Sequence, residues 1–190
     1  VPEPRYYDAA GRKLPASAPA EAIAFSDYEI RIRPGIRYQP HPAFALDAAG
    51  APLYTDLDRH KLRGIERIAD FAHSGTRELT ADDYIYQIKR LAHPRLISPL
   101  FSTMSERIVG LKKLGEQLRV EAKAHPDTWL DLERFALEGV TRVDRYTYRI
   151  RLHGKYPQFV YWLAMPFFAP VPREADRFYA QPGMAEKNLT

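Results

Sequence analysis

Asp27-Tyr28-Glu29-Ile30-Arg31-Ile32-Arg33 alternates strictly: Tyr28, Ile30 and Ile32 turn one way, Glu29, Arg31 and Arg33 the other. A period of two over seven residues marks a strand with one face in a core and one in water. Pro34-Gly35 stops it. The pattern returns far along the chain. Residues 140–152 are expected as a second strand, with Tyr146, Tyr148, Ile150 and Leu152 inward and Arg145, Thr147, Arg149 and Arg151 outward. Tyr28–Arg33 reads Tyr-Glu-Ile-Arg-Ile-Arg, and Tyr146–Arg151 reads Tyr-Thr-Tyr-Arg-Ile-Arg. Two isolated hexamers do not make a repeat. Their common exposure pattern places both strands in one sheet.

The stretch between them is helical. Thr80 stands as N-cap with Asp83 at N3, and Asp82 and Asp83 suit the positive end of a helix. The helix expected over 81–92 puts Tyr84, Ile85, Ile88 and Leu91 on one face, and Pro94 ends it. A second helix is expected from near Ser102 to Ala124, with Ile108, Leu111, Leu114 and Leu118 three or four apart. A third is expected over about 127–137, a fourth over 157–164, and a last over about 173–180. Residues 1–26, with Pro2, Pro4, Pro15 and Pro19, read as an extended arm. Residues 27–190 then form one domain, interrupted by a long loop over 37–75. The class is α+β: a small, mainly antiparallel sheet with helices packed on it.

Composition narrows the function classes. The 190 residues carry 28 Lys and Arg against 24 Asp and Glu, a charge of +4, which is weak for a nucleic-acid binder. There is no cysteine, which removes disulfide scaffolds, thiolate catalysis and Cys-ligated metals. No apolar run approaches the roughly 18 residues of a spanning helix, so the chain is not membrane-spanning. Val1-Pro2-Glu3-Pro4 has no signal-peptide character. Either the protein is cytosolic or its natural N-terminus is missing, and the ending at Lys187–Thr190, without a stop signal, looks cut.

Catalytic and metal chemistry find little support. The six histidines include no i, i+4 pair, and no HExxH is present. Nucleophile elbow, P-loop and GxGxxG are likewise lacking. The Asp82-Asp83 doublet sits at a helix start, where capping accounts for it. No enzyme, cofactor or metal is expected. The arginines Arg31, Arg33, Arg145, Arg149 and Arg151 leave one alternative, a stand-alone interaction module that binds an acidic partner through a basic sheet face. The aromatic run Tyr156, Phe159, Tyr161, Trp162, Phe167, Phe168 reads as core.

Four segments carry a resemblance. They are Tyr28–Ile36; Leu79-Thr80-Ala81-Asp82-Asp83-Tyr84 through Leu91, with Pro94 and Ser98-Pro99 following; Gly139–Leu152, with Asp144 and Thr147; and Tyr156-Pro157-Gln158-Phe159 through Pro172-Arg173-Glu174. In this order they resemble the family 5 extracellular solute-binding proteins, the oligopeptide, dipeptide and nickel-binding components of ABC importers. The resemblance covers 27–175, and the loop at 37–75 departs from it. It implies a fragment of the first lobe of a two-lobe periplasmic protein, with the second lobe absent from this chain. It further implies capture of a peptide or other small solute for ABC permease subunits, without catalysis or nucleic acid. Leu100 and Phe101, just after the Ser98-Pro99 turn, are the ligand-contact candidates it implies.

Overall fold

The computed structural model describes residues 2–185 and 187. The expected open end lies, apart from Lys187, outside the described residues. The chain divides into two compact units, each made of separate stretches: residues up to Arg33 with Thr80–Pro170, and Pro34–Leu79 with the residues from Val171 on.

The first unit is built on five strands: β1 (Arg5–Tyr7), β2 (Lys13–Leu14), β3 (Phe25–Arg31), β4 (Val140–Asp144) and β5 (Thr147–His153). Their order is β2-β1-β3-β5-β4, and every pairing is antiparallel. The architecture is α+β. β3 and β5, the two alternating segments, pair from Phe25↔His153 to Arg31↔Thr147. Ser26, Tyr28, Tyr148, Ile150 and Leu152 are buried on the inner face. The Tyr28 hydroxyl donates to the Tyr156 carbonyl at 2.9 Å, and burial, with Tyr6 nearby, raises its pKa to about 12.

The second alternating segment is a hairpin rather than one strand. Asp144 Oδ1 accepts the Tyr146 N–H at 2.7 Å and closes a turn at Arg145-Tyr146. A short acidic side chain competes here with continued extension. The N-terminal residues before Asp27 contribute β1 and β2, joined by a turn in which Asp8 Oδ1 accepts the N–H groups of Ala10 and Arg12. Tyr6, Ala18 and Ile23 form a small cluster under them.

Helices cover the inner face. α1 (Ala81–Arg90) packs against β4 and β5. The Thr80 N–H donates to Asp83 Oδ2 at 2.9 Å, as its capping signature implies. The single helix expected over 102–124 is two, α2 (Phe101–Arg107) and α3 (Leu111–Ala124). The sheet takes the backbone between them: the Val109 N–H donates to Arg151 O, and the Gly139 N–H to Val109 O. Gly110 then turns the chain at φ 79°. The helix expected over 127–137 is reduced to a 3₁₀ turn at Leu132–Arg134. Asp131 caps that turn, while Arg95 holds the carbonyls of His125 and Thr128 at 2.8 Å. Leu130, Leu132 and Leu137 are buried all the same. α4 (Phe159–Leu163) completes the layer.

The second unit contains α5 (Arg173–Tyr179) and α6 (Pro182–Ala185). The expected long loop is ordered by bridges at Arg37↔Glu78, His41↔Gly75 and Leu46↔Pro52 and by 3₁₀ turns at Pro42–Phe44 and Ile68–Asp70. Its core joins Leu57, Leu62 and Phe71 to Phe178 and Met184. Arg77 makes a bidentate pair with Glu174 (2.6 and 2.7 Å) and lies over the rings of Tyr38 and Phe44.

His41 is a pH-sensitive element of this unit. Its Nδ1 accepts the Ala43 N–H at 3.0 Å, and its Nε2 bonds the Tyr179 hydroxyl at 2.9 Å. Burial pushes its pKa below the ordinary 6.5. As pH falls, the unfolded chain therefore takes up the proton first, and stability declines below about pH 6.5. Urea unfolding should give a midpoint that is level from pH 8 to 7 and lower at pH 5.5. His41→Asn should abolish that decline, and a wild-type midpoint unchanged down to pH 5.5 would contradict it.

Candidate ligand-binding groove

The outer face of the sheet is a ladder of charges. Asp27 stands opposite Arg151, and Glu29 opposite Arg149. Asp27 is 3% exposed, and both its oxygens accept from Arg151, at 2.7 and 2.8 Å. These bonds raise the Arg151 pKa further. Its guanidinium lies 5.5 Å from the ring centres of Tyr7 and Phe25. Glu29 Oε1 meets Arg31 at 3.2 Å, and Oε2 meets Arg5 at 3.5 Å. Asp27 and Glu29 thus engage two of the five arginines of the basic face, Arg151 and Arg31.

A groove of about 780 Å³ opens where this face meets the N-terminal segment, walled by Pro2–Tyr6, Lys13–Ala16 and Glu29–Arg31. Strand lengths produce it. The β5 ladder covers Phe25–Arg31, whereas the β1 ladder covers only Phe25–Asp27. Continuing β1 backwards would set Glu3 directly opposite Glu29, and like charges in that relation are unfavourable. Pro2 and Pro4 also hold φ near −65°, away from the pleated value. The lining of the groove therefore combines Ile30 and Leu14 with Arg31 and Lys13. Among the described residues Lys13 has no carboxylate partner.

The expected ligand contacts lie elsewhere in the same unit. Leu100, at the start of α2, is 8% exposed. Phe101 is half-buried, and its ring fills the space left by Gly115 of α3, where a Cβ would come 2.5 Å from Phe101 Cζ. Neither residue lines the groove. Sequence reading missed the groove because it depends on where β1 begins. The available signal was the Pro2-Glu3-Pro4 spacing ahead of a strand. Of the aromatic run, Phe159 and Phe168 are buried, while Tyr161 and Phe167 are exposed. Among the described residues, no group of three or more His, Asp or Glu is placed to hold a metal ion, and no helix is long and apolar enough to cross a membrane.

No family model matches the chain. Over 108 residues, 55% of its length, it is 31% identical to the periplasmic murein peptide-binding protein MppA of Escherichia coli strain K12. The match takes in 18% of that relative, so the chain spans less than a fifth of it.

Proposed function

We propose that the chain is part of a periplasmic solute-binding protein of the family 5 type, one that captures peptides or similar small solutes for an ABC importer. The observation that carries this reading is the 31% identity over 108 residues to a periplasmic peptide-binding protein. The physical character of the first unit agrees with it. A rigid antiparallel sheet with a mixed apolar and charged groove suits capture of a zwitterionic solute. The charge ladder speaks less for the basic-face module, because Asp27 and Glu29 engage Arg151, Arg31 and Arg5.

On this reading the sheet-bearing unit belongs to lobe I, and a second lobe closes over the ligand, with the closed state favoured by ligand contacts made only there. Leu100 and Phe101 are the proposed contacts on the α2 side. Delivery is to permease subunits, and no bond is made or broken. The test is capture by the whole gene product, purified from osmotic-shock fluid and mixed with a defined library of di- to pentapeptides. Mass spectrometry of the co-purified fraction should show peptides enriched over a size-matched control protein. Recovery of the protein from the cytosol alone, with no peptide retained, would sink the proposal.

A further inference from the structure

His41 ties together three stretches of the second unit. Its N–H donates to Gly75 O at 2.8 Å, and its carbonyl accepts the Gly75 N–H at 3.1 Å, so the two ends of the ordered loop meet there. Gly75 fits closely: a Cβ there would run into Phe44 O, in the 3₁₀ turn that the His41 side chain caps. The imidazole centre lies 5.4 Å from the ring of Phe178 and 5.6 Å from that of Tyr179, both of α5. Its two nitrogens carry the polar bonds. Nδ1 accepts the Ala43 N–H, so the neutral ring must hold its hydrogen on Nε2 and donate it to the Tyr179 hydroxyl.

We propose that His41 is an acid-sensitive latch whose protonation releases the loop Pro34–Leu79 from α5 while the sheet-bearing unit stays folded. The added proton has one place to go, Nδ1, where it meets the Ala43 N–H. Two donors whose nitrogens stand 3.0 Å apart repel, and the turn loses its cap. Flipping the ring does not help, because both nitrogens of an imidazolium are donors. The ring must swing out, and the Tyr179 bond and the packing on Phe178 go with it. The turn Pro42–Phe44 then loosens against Gly75, and the cluster of Leu57, Leu62, Phe71, Phe178 and Met184 opens. Among the described residues His41 has no carboxylate partner to hold the new charge, and burial by itself causes its lowered pKa. Tyr179 stays neutral in the acid range, since burial raises its pKa. Arg77 lies over Phe44 and is bound to Glu174 of α5, and His73, near Gly75, is exposed. The latch is independent of the peptide-binding reading, and it acts in the segment 37–75 that departs from the family resemblance.

The test is amide hydrogen exchange of the 15N-labelled 190-residue chain, read by NMR at pH 7.0 and 5.5 and corrected for intrinsic rates. The Ala43 and Gly75 amides should exchange severalfold faster at pH 5.5, with about eightfold as the ceiling that an open-state pKa of 6.5 sets. The Ile32 and Val109 amides, which bond Tyr146 O and Arg151 O in the first unit, should keep their protection. His41→Asn supplies an uncharged acceptor to the cap and should remove the pH dependence at Ala43 and Gly75. Tyr179→Phe should speed exchange there by the same factor at both pH values, because either charge state of His41 can donate from Nε2. Equal acceleration in both units would mean global unfolding and would overturn the latch. So would unchanged exchange at Ala43 and Gly75, or a pH response that His41→Asn retains.

Discussion

Replacing Arg151 by Met should cost about 3 kcal/mol of unfolding free energy, the lower end of what an enclosed charge loses with its partner. Asp27 sits in the centre of the sheet, 3% exposed, and among the described residues Arg151 alone meets both of its oxygens. The converse change is milder. Arg151 keeps 41% of its side chain in solvent, so water serves its guanidinium after Asp27→Asn. The double variant Asp27→Asn with Arg151→Met should recover much of the loss, because no enclosed carboxylate remains. Urea unfolding of the three variants forms the cycle. A loss below about 1 kcal/mol for Arg151→Met would mean that the pair behaves as an ordinary surface ion pair.

Phe159→Ala should cost about 4 kcal/mol, in the range for emptying a buried aromatic site. Phe159 is wholly enclosed. Its ring centre lies 5.3 Å from that of Tyr28 on β3 and 5.9 Å from that of Phe168. It thus pins the start of α4 to the middle of the sheet. Phe159→Leu, which keeps most of the volume, should cost about 1 kcal/mol. At roughly 2–4 °C per kcal/mol for a chain of this size, the alanine variant should melt about 10 °C below wild type in a calorimetric scan. Equal melting points for the two variants would show that the site collapses around the missing ring.

Several elements were legible because their causes are local. The alternation in 27–33 and 146–152 dictates which side chains a strand buries, and both strands form as neighbours with Tyr28, Tyr148, Ile150 and Leu152 buried; Thr147, expected outward, is buried as well, and Tyr146 lies in the turn before β5. Thr80 and Asp83 start α1 through a bond spanning three residues. The elements that differ from expectation have distant causes. Gly110, left-handed at φ 79°, marks the break between α2 and α3 locally. Arg151 and Gly139, far along the chain, hold it open by bonding the Val109 backbone. Residues 127–137 carry helical spacing, yet Arg95 draws off the carbonyls of His125 and Thr128. The turn at Asp144 was within reach of local reading, since an Asp accepting an N–H two residues on is a known turn device.

Local pattern in the chain decided the α+β class, the inner and outer faces of β3 and β5, and the start of α1. Each depends on periodicity or capping within a few residues, and such signals survive whatever packs around them. Tertiary structure alone decided the partners of the arginines, because opposite charges meet only once the register Asp27↔Arg151 is set. It also decided the groove. That groove exists because β1 begins only at Arg5 while β3 runs on to Arg31, and the length of one strand against another is a property of the assembled sheet.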